Sequence, residues 1–364
     1  MSQRKETIPL LLFFFLGIVI LTIAGFVLSR LIQGLPGIKQ QLESPSPTNL
    51  ITPTPSPGRG VPLGKKVPLE KELTGNPGQI YSIAISADGQ IIASGSNNGN
   101  IQLWNLRAEE PQSKSLTKKN GGGIASLAIS PNGNILVSGG WGSNNIDIWE
   151  IPTGARRPSI ERAHSFDIKS LSISPDGKTL ASADSQGIIK LWNLETKTSI
   201  ISLRTKSSNI TFLTISPDGK TLASGSIDGT IKLWNLENGQ ERLSLDSRSG
   251  KVTSLIFTQD SQLLVSGSNN GIIKLWNLET RQVMNSLEGH SEAIISLDIS
   301  LDGQKLASGS LDGTVRVWNL SNKQLQTYNL SDHIGESIIL SFNANGEILI
   351  FGYIFRTIKI WRIR

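Results

Sequence analysis

A tryptophan recurs about every 42 residues along this chain, at Trp104, Trp149, Trp192, Trp234, Trp276, Trp318 and Trp361, with intervals of 45, 43, 42, 42, 42 and 43. A fixed period of this length means that one small supersecondary unit is built seven times. Such a unit cannot bury its apolar face alone, so neighbouring copies must stack. Aligning on the tryptophan brings the rest into register. The fourth unit, residues 210–235, reads as three short runs rich in β-branched and apolar residues, each closed by a turn signal. Asp88-Gly89, Asn132-Gly133, Asp176-Gly177, Asp218-Gly219, Asp302-Gly303 and Asn345-Gly346 mark the same first turn in six units, and the fifth departs with Asp260-Ser261. These pairs supply the positive φ that tight hairpins need. A fourth, looser run follows the tryptophan, for example 241–245. Each unit is therefore expected to be a four-stranded antiparallel sheet, the pattern of a propeller blade.

Residues 65–364 resemble the WD40 repeat family. The family's closing Trp-Asp is mostly Trp-Asn here, as at Trp104-Asn105 and Trp276-Asn277, and its Gly-His survives only as Gly289-His290. His164 and His333 fall at the equivalent positions of the third and seventh units. The resemblance implies a hydrogen-bonded set of His, Ser, Asp and Trp within a blade. By position only the sixth unit keeps all four, His290, Ser308, Asp312 and Trp318. The fourth has Asp228 and Trp234 with Lys206 in the histidine position, and the third has His164 with Gln186 where the aspartate is expected. In the family such residues are structural, so His290 and Asp312 are expected to staple a blade and not to form a catalytic pair. The expected fold is all-β, a seven-bladed propeller of WD40 repeats. The chain runs out at 361–364, after the third strand of the last unit, whereas 65–74 aligns with fourth-strand segments such as 281–287. An N-terminal strand is thus expected to complete the last blade and cover its open edge.

The first 64 residues are of another class. Residues 1–7 form a short tail carrying Arg4 and Lys5, and residues 8–33 are expected to be a transmembrane helix. Leu10 to Leu28 is 19 residues without a charge, about the length that spans a bilayer. The run is long for a signal peptide and lacks an Ala-x-Ala site, which favours an uncleaved anchor over a cleaved signal or a core helix. The expected localisation is single-pass membrane, with lipid contact through 8–33. Arg4 and Lys5 lean towards a cytoplasmic N-terminus and an extracytoplasmic propeller. Residues 34–64 hold Ser44-Pro45, Ser46-Pro47, Thr52-Pro53, Thr54-Pro55 and Ser56-Pro57. They are expected to be a disordered spacer that cannot bury enough apolar surface to fold.

Charge narrows the partners. The chain carries 35 Lys and Arg against 29 Asp and Glu, a net +6. Residues 1–70 hold seven basic and three acidic residues, which leaves only +2 beyond residue 70. That argues against nucleic acid, which requires a basic stripe on the folded domain. With no cysteine and three histidines, disulfides and thiolate metal sites are excluded, and neither metal nor cofactor is expected. Gly177-Lys178-Thr179 and Gly219-Lys220-Thr221 look like the end of a phosphate loop, but Ser172 and Thr214 stand where its first glycine is needed. Both are read as hairpin turns.

Function is sought where the repeats deviate. Four units turn into the tryptophan strand with Gly-Ser-x-Asn/Asp-Gly. The second has a longer loop carrying Trp141, and the seventh has Tyr353, Phe355 and Arg356. Aromatic and arginine residues without a core role are what binding hot spots are made of. Trp141, Tyr353, Phe355 and Arg356 are therefore candidates for a partner-docking patch. The alternative is that Trp141 folds back as a plug. The chain is expected to be a non-catalytic protein–protein interaction scaffold tethered to a membrane. A propeller enzyme or small-ligand binder using the central funnel, or an envelope-sensing module, are the alternatives.

Overall fold

The computed structural model describes residues 65–363 except for 67–68, 77, 108–111, 118–120, 206–208, 321–324, 330–336, 343–346 and 355–356. Every regular element among the described residues is a β-strand, and these strands form six four-stranded sheets and one five-stranded sheet. The sheets are numbered here by their first strands: Ile80–Ile85, Ile124–Ile129, Ile168–Ile173, Ile210–Ile215, Val252–Phe257, Ile294–Ile299 and Ser337–Phe342. In each sheet the chain runs outward strand by strand as an antiparallel meander, and successive first strands lie against one another. That is the architecture of an all-β propeller.

The core lies between sheets rather than within them. Isoleucine, leucine and valine from one sheet pack against the tryptophan and inner-strand residues of the next, as when Ile91, Ala93 and Ile101 meet Leu127, Leu136 and Trp149. The same arrangement links the second sheet to the third and so on to the sixth and seventh. The last cluster joins Ile358 and Ile360 of the seventh sheet to Ile83, Ile92 and Trp104 of the first, which closes the series. Burying each such side chain contributes roughly 1.5–3 kcal/mol. The repeated Gly-Ser of the second strand has a packing cause. A Cβ on Gly95 would lie 2.3 Å from Cγ2 of Ile124 in the next sheet. Serine hydroxyls of the first strands add polar stitches: the Leu127 amide donates to Ser82 Oγ at 3.1 Å and the Leu213 amide to Ser170 Oγ at 2.9 Å.

Two features depart from seven equal repeats. The expectation of seven four-stranded blades is met by six four-stranded sheets, because the sixth sheet gains an extra strand. Lys65–Lys66 pairs in parallel with Tyr328 and Asn329 on its outer edge. The chain then crosses over, and Leu69–Leu73 pairs antiparallel with Thr357–Ile363 as the outer strand of the seventh sheet. The second departure is a slip of register between the first and third residues of the inner strand, present in the first six sheets. Each slip leaves one extra, bulged residue: Tyr81, Ala125, Lys169, Thr211, Thr253 or Ile295. The seventh sheet pairs without a break.

The expected single-pass membrane localisation is corrected. Among the described residues no helix is long and apolar enough to cross a membrane, and there is no helix at all. The segments read as tail, transmembrane helix and linker, 1–7, 8–33 and 34–64, lie outside the described residues.

Candidate functional site: two buried histidine networks and the strand-start end of the ring

The sixth sheet brings its four expected residues together. His290 Nδ1 lies 2.9 Å from Asp312 Oδ2, His290 Nε2 lies 2.8 Å from Ser308 Oγ, and Trp318 Nε1 donates to the same Oγ at 2.9 Å. One proton arrangement satisfies every atom. The indole N–H donates to the serine oxygen, the serine hydroxyl donates to Nε2, and Nδ1–H donates to the carboxylate. Burial raises the Asp312 carboxyl, but hydrogen bonds from His290 and Thr314 outweigh it and hold the group well below the usual carboxylate range.

The third sheet builds the same network, which the sequence reading assigned only to the sixth. His164 Nδ1 lies 3.0 Å from Asp184 Oδ2, His164 Nε2 lies 2.7 Å from Ser182 Oγ, and Trp192 Nε1 donates to Ser182 Oγ at 2.8 Å. Gln186 does occupy the aspartate's turn position. The carboxylate comes instead from Asp184, two residues earlier, at the end of the second strand. Burial holds the His164 imidazole below its usual pKa, and Asp184 opposes that only in part. The ring is therefore neutral near neutral pH, as the proton arrangement requires.

Ser, His and Asp at these distances have the connectivity of a nucleophilic triad. The surroundings oppose catalysis. Ser182 and Ser308 are 0% exposed, and each serine oxygen already accepts an indole N–H. A substrate carbonyl has no path to either oxygen. The other sheets keep pieces of the network. Asn76 accepts the Ser94 hydroxyl at 2.6 Å in the first, and Trp234 and Trp276 donate to Ser224 and Ser266 in the fourth and fifth. Lys206 and His333 lie outside the described residues. No group of three His, Cys, Asp or Glu gathers as a metal site among the described residues. Gly177 and Gly219 sit at φ of 72° and 69° in hairpin turns, where Asp176 and Asp218 accept the backbone amides of Lys178 and Lys220.

The loops leading into the first strands and the turns between second and third strands lie at the same end of the sheets. Trp141 belongs to this end but is half-buried. Its ring meets Tyr81 edge-on, with centroids 5.0 Å apart, and lies so close over Gly123 that a Cβ there would be 2.1 Å from the indole. Tyr353 lies at this end in the second strand of the seventh sheet, paired with Ser337. Phe355 and Arg356 lie outside the described residues, so of the four candidates the structure places Trp141 and the backbone of Tyr353. The large apolar residues exposed at this end are Tyr81 (39%), Phe166 (49%) and Ile227 (49%); Phe166 is legible in the sequence as part of the loop entering the third sheet, whereas Tyr81 and Ile227 are not singled out by it. Only the bulge at Tyr81 and the turn position of Ile227 could have signalled them.

A WD domain, G-beta repeat model matches residues 68–105, 112–150, 157–193 and 197–235, and a Vps42 beta-propeller model matches residues 247–347. No curated protein matches the chain. With these matches laid over stacked four-stranded sheets, each closed by its tryptophan, the chain is a β-propeller protein built of WD40 repeats.

Proposed function

We propose that this propeller is a non-catalytic scaffold that docks another protein on the end where its first strands begin. WD40 propellers generally bind proteins. The observation that carries the reading for this chain is the exposure of Tyr81, Phe166 and Ile227 at one end, on three different sheets. Tyr81 is held by a packed strand, and Phe166 and Ile227 by the short loop and turn between such strands; aromatic and branched side chains anchored in this way bind at low entropic cost. The proposed face also takes in the loop of Trp141 and the last turn, with Tyr353, Phe355 and Arg356. In this reading Trp141 supports Tyr81 and does not contact the partner itself. The internal networks support the same assignment, since their serine, histidine and tryptophan groups are spent on one another.

The test compares proteins captured by the native chain with those captured by a Phe166→Ser/Ile227→Ser double variant. Leu301→Ser, an exposed leucine in a first turn at the opposite end (69% exposed), serves as control. Loss of a partner in the double variant alone, with an unchanged melting temperature, is the expected result. Partners that survive the double variant but are lost with Leu301→Ser would place docking on the other end.

A further inference from the structure

We propose that Lys169 and Lys251, with the hydroxyl of Thr253, form a binding site for a phosphoryl dianion where the inner strands begin. The site stands on different residues from the docking face and does not depend on it.

Its position follows from the bulges. Lys169 and Thr253 are the extra residues of the third and fifth inner strands. Lys251 stands immediately before Val252, the first residue of the fifth. All three are thus at the same end of strands that line the inside of the ring. Bulges commonly re-aim side chains beside functional sites. The fourth strand, between the two, is tied to the fifth there: the Thr211 hydroxyl donates to Val252 O at 2.6 Å.

The polar groups of this cluster lack the partners that their counterparts find. Thr211 Oγ1 bonds two carbonyls, Val252 O and Gly225 O. Thr253 Oγ1, at the same strand position, is buried with no partner. Lysines on the third strands of neighbouring sheets find partners: Lys190 reaches Ala163 O at 2.7 Å, and Lys232 reaches Glu241 at 2.6 Å. Lys251 is half-buried, yet among the described residues no hydrogen bond or ion pair reaches its ammonium. Burial, then the charge of Lys169, holds the Lys251 pKa below its usual value. Lys169 has Asp167 at 3.7 Å, but that carboxylate is 44% exposed and offsets little of the charge.

An unpaired ammonium partly withdrawn from water beside a second ammonium is unfavourable unless an anion joins them. Two positive charges and one spare hydroxyl donor match a group with two negative charges and several acceptor oxygens. A phosphoryl group has both, and lysine serves such groups as a point charge. A single carboxylate would neutralise only one of the pair.

Competitive acylation of the full-length chain tests this. Labelling of Lys169, Lys251 and the exposed Lys220 is read by mass spectrometry in chloride, in inorganic phosphate and in a phosphoserine tetrapeptide, at matched ionic strength. Protection of Lys169 and Lys251 but not Lys220 is expected, and the probe with the lower midpoint distinguishes a free phosphate from a phosphorylated side chain. Lys251→Met should weaken protection of Lys169 by about tenfold or more, as loss of one charge-assisted contact implies. Lys251→Arg should largely retain it, and thermal melts check that both variants fold. Labelling that neither probe changes, or protection of Lys169 that survives Lys251→Met in the folded variant, would overturn the proposal.

Discussion

Asp184 Oδ2 lies 3.0 Å from His164 Nδ1, although Asp184 stands two residues before the position that holds the partner aspartate in the sixth sheet. The shift succeeds because Asp184 Oδ1 also accepts the backbone amides of Gln186 and Ile188, at 2.9 and 3.0 Å. One carboxylate therefore orients the histidine and ties the turn. Asp184 is 1% exposed, and removing it leaves the imidazole N–H and two amides unpaired. Asp184→Ala should destabilise the ring by roughly 2–4 kcal/mol. Gln186→Ala, at the position the repeat alignment favours, should stay within about 0.5 kcal/mol. Urea melts of the two variants decide between the positions, and a larger loss for Gln186→Ala would reverse the assignment.

The same pair shows where the sequence could be read and where it could not. The tryptophan ladder repeats a packing requirement, since each indole must be buried against the neighbouring sheet. Sheets and turns followed from it directly, and the His290 network from the resemblance to WD40 repeats. Asp184 was missed because two backbone routes bring a carboxylate to the same point, and alignment follows only one. Lys65–Lys66 was missed as a parallel strand because two residues carry no periodicity. Trp141 broke the repeat and invited a functional reading, yet it packs on Tyr81 and Gly123. Lys169 and Lys251 are far apart in sequence and lie in different sheets, so only the ring relates them. The charge-free run at 10–28 suggested a membrane anchor. Among the described residues there are only strands, and no helix long and apolar enough to cross a membrane.

Asp298 should make stability depend on pH. It stands on the sixth inner strand where other sheets have Ala84, Ala128, Ser172, Thr214 and Ile256. It accepts the Phe342 amide of the seventh sheet at 2.6 Å and its neighbour Ile299's amide at 2.9 Å. Burial pushes its carboxyl up from 3.8 to about 6 despite both bonds. A raised carboxyl pKa favours the folded state while the group is protonated. That contribution is complete below about pH 4 and is lost as pH rises through about 6, with an upper value of about 3 kcal/mol. Asp298→Asn keeps an acceptor for Phe342 and removes the ionisation. Relative to the native chain it should gain stability steadily between about pH 4 and pH 7. A difference that stays constant across that range in urea melts would show that Asp298 does not titrate in this window.

Ser261 carries a small backbone cost. It occupies φ of 58°, where Gly89, Gly177, Gly219 and Gly303 occupy 68–72° in the equivalent turns. A non-glycine residue in this region costs roughly 1–2 kcal/mol. Against this, Ser261 Oγ accepts the Asp218 amide of the fourth sheet at 3.2 Å, an exposed bond worth little. Ser261→Gly should raise the melting temperature, with a net gain of up to about 1 kcal/mol. Ser261→Ala removes the hydroxyl without relieving the backbone and should fall below both. A lower melting temperature for the glycine variant would mean that the bond between sheets dominates.

Leu73 holds the junction between the strands Leu69–Leu73 and Thr357–Ile363. It pairs with Ile358 across the outer strand of the seventh sheet and is 3% exposed among Ile80, Ile83, Ile92, Trp104 and Ile360. Glu70 on the same strand meets Arg362 at 3.1 Å, but its carboxylate is 42% exposed. Leu73→Ala should cost about 2–5 kcal/mol through lost burial and the cavity left behind. Glu70→Ala should cost less than about 1 kcal/mol, as exposed ion pairs do. The strand joins segments almost three hundred residues apart, so its closure is the longest loop the fold must form, and loop-closure entropy makes such contacts late to form and early to open. Amides of Ile358 and Ile360 should therefore exchange with solvent faster than those of Ile189 and Leu191, whose pairing partners are local. Leu73→Ala should widen that gap by speeding the first pair alone. If all four amides accelerate together, the ring opens as one cooperative unit and the clasp is not its weak point.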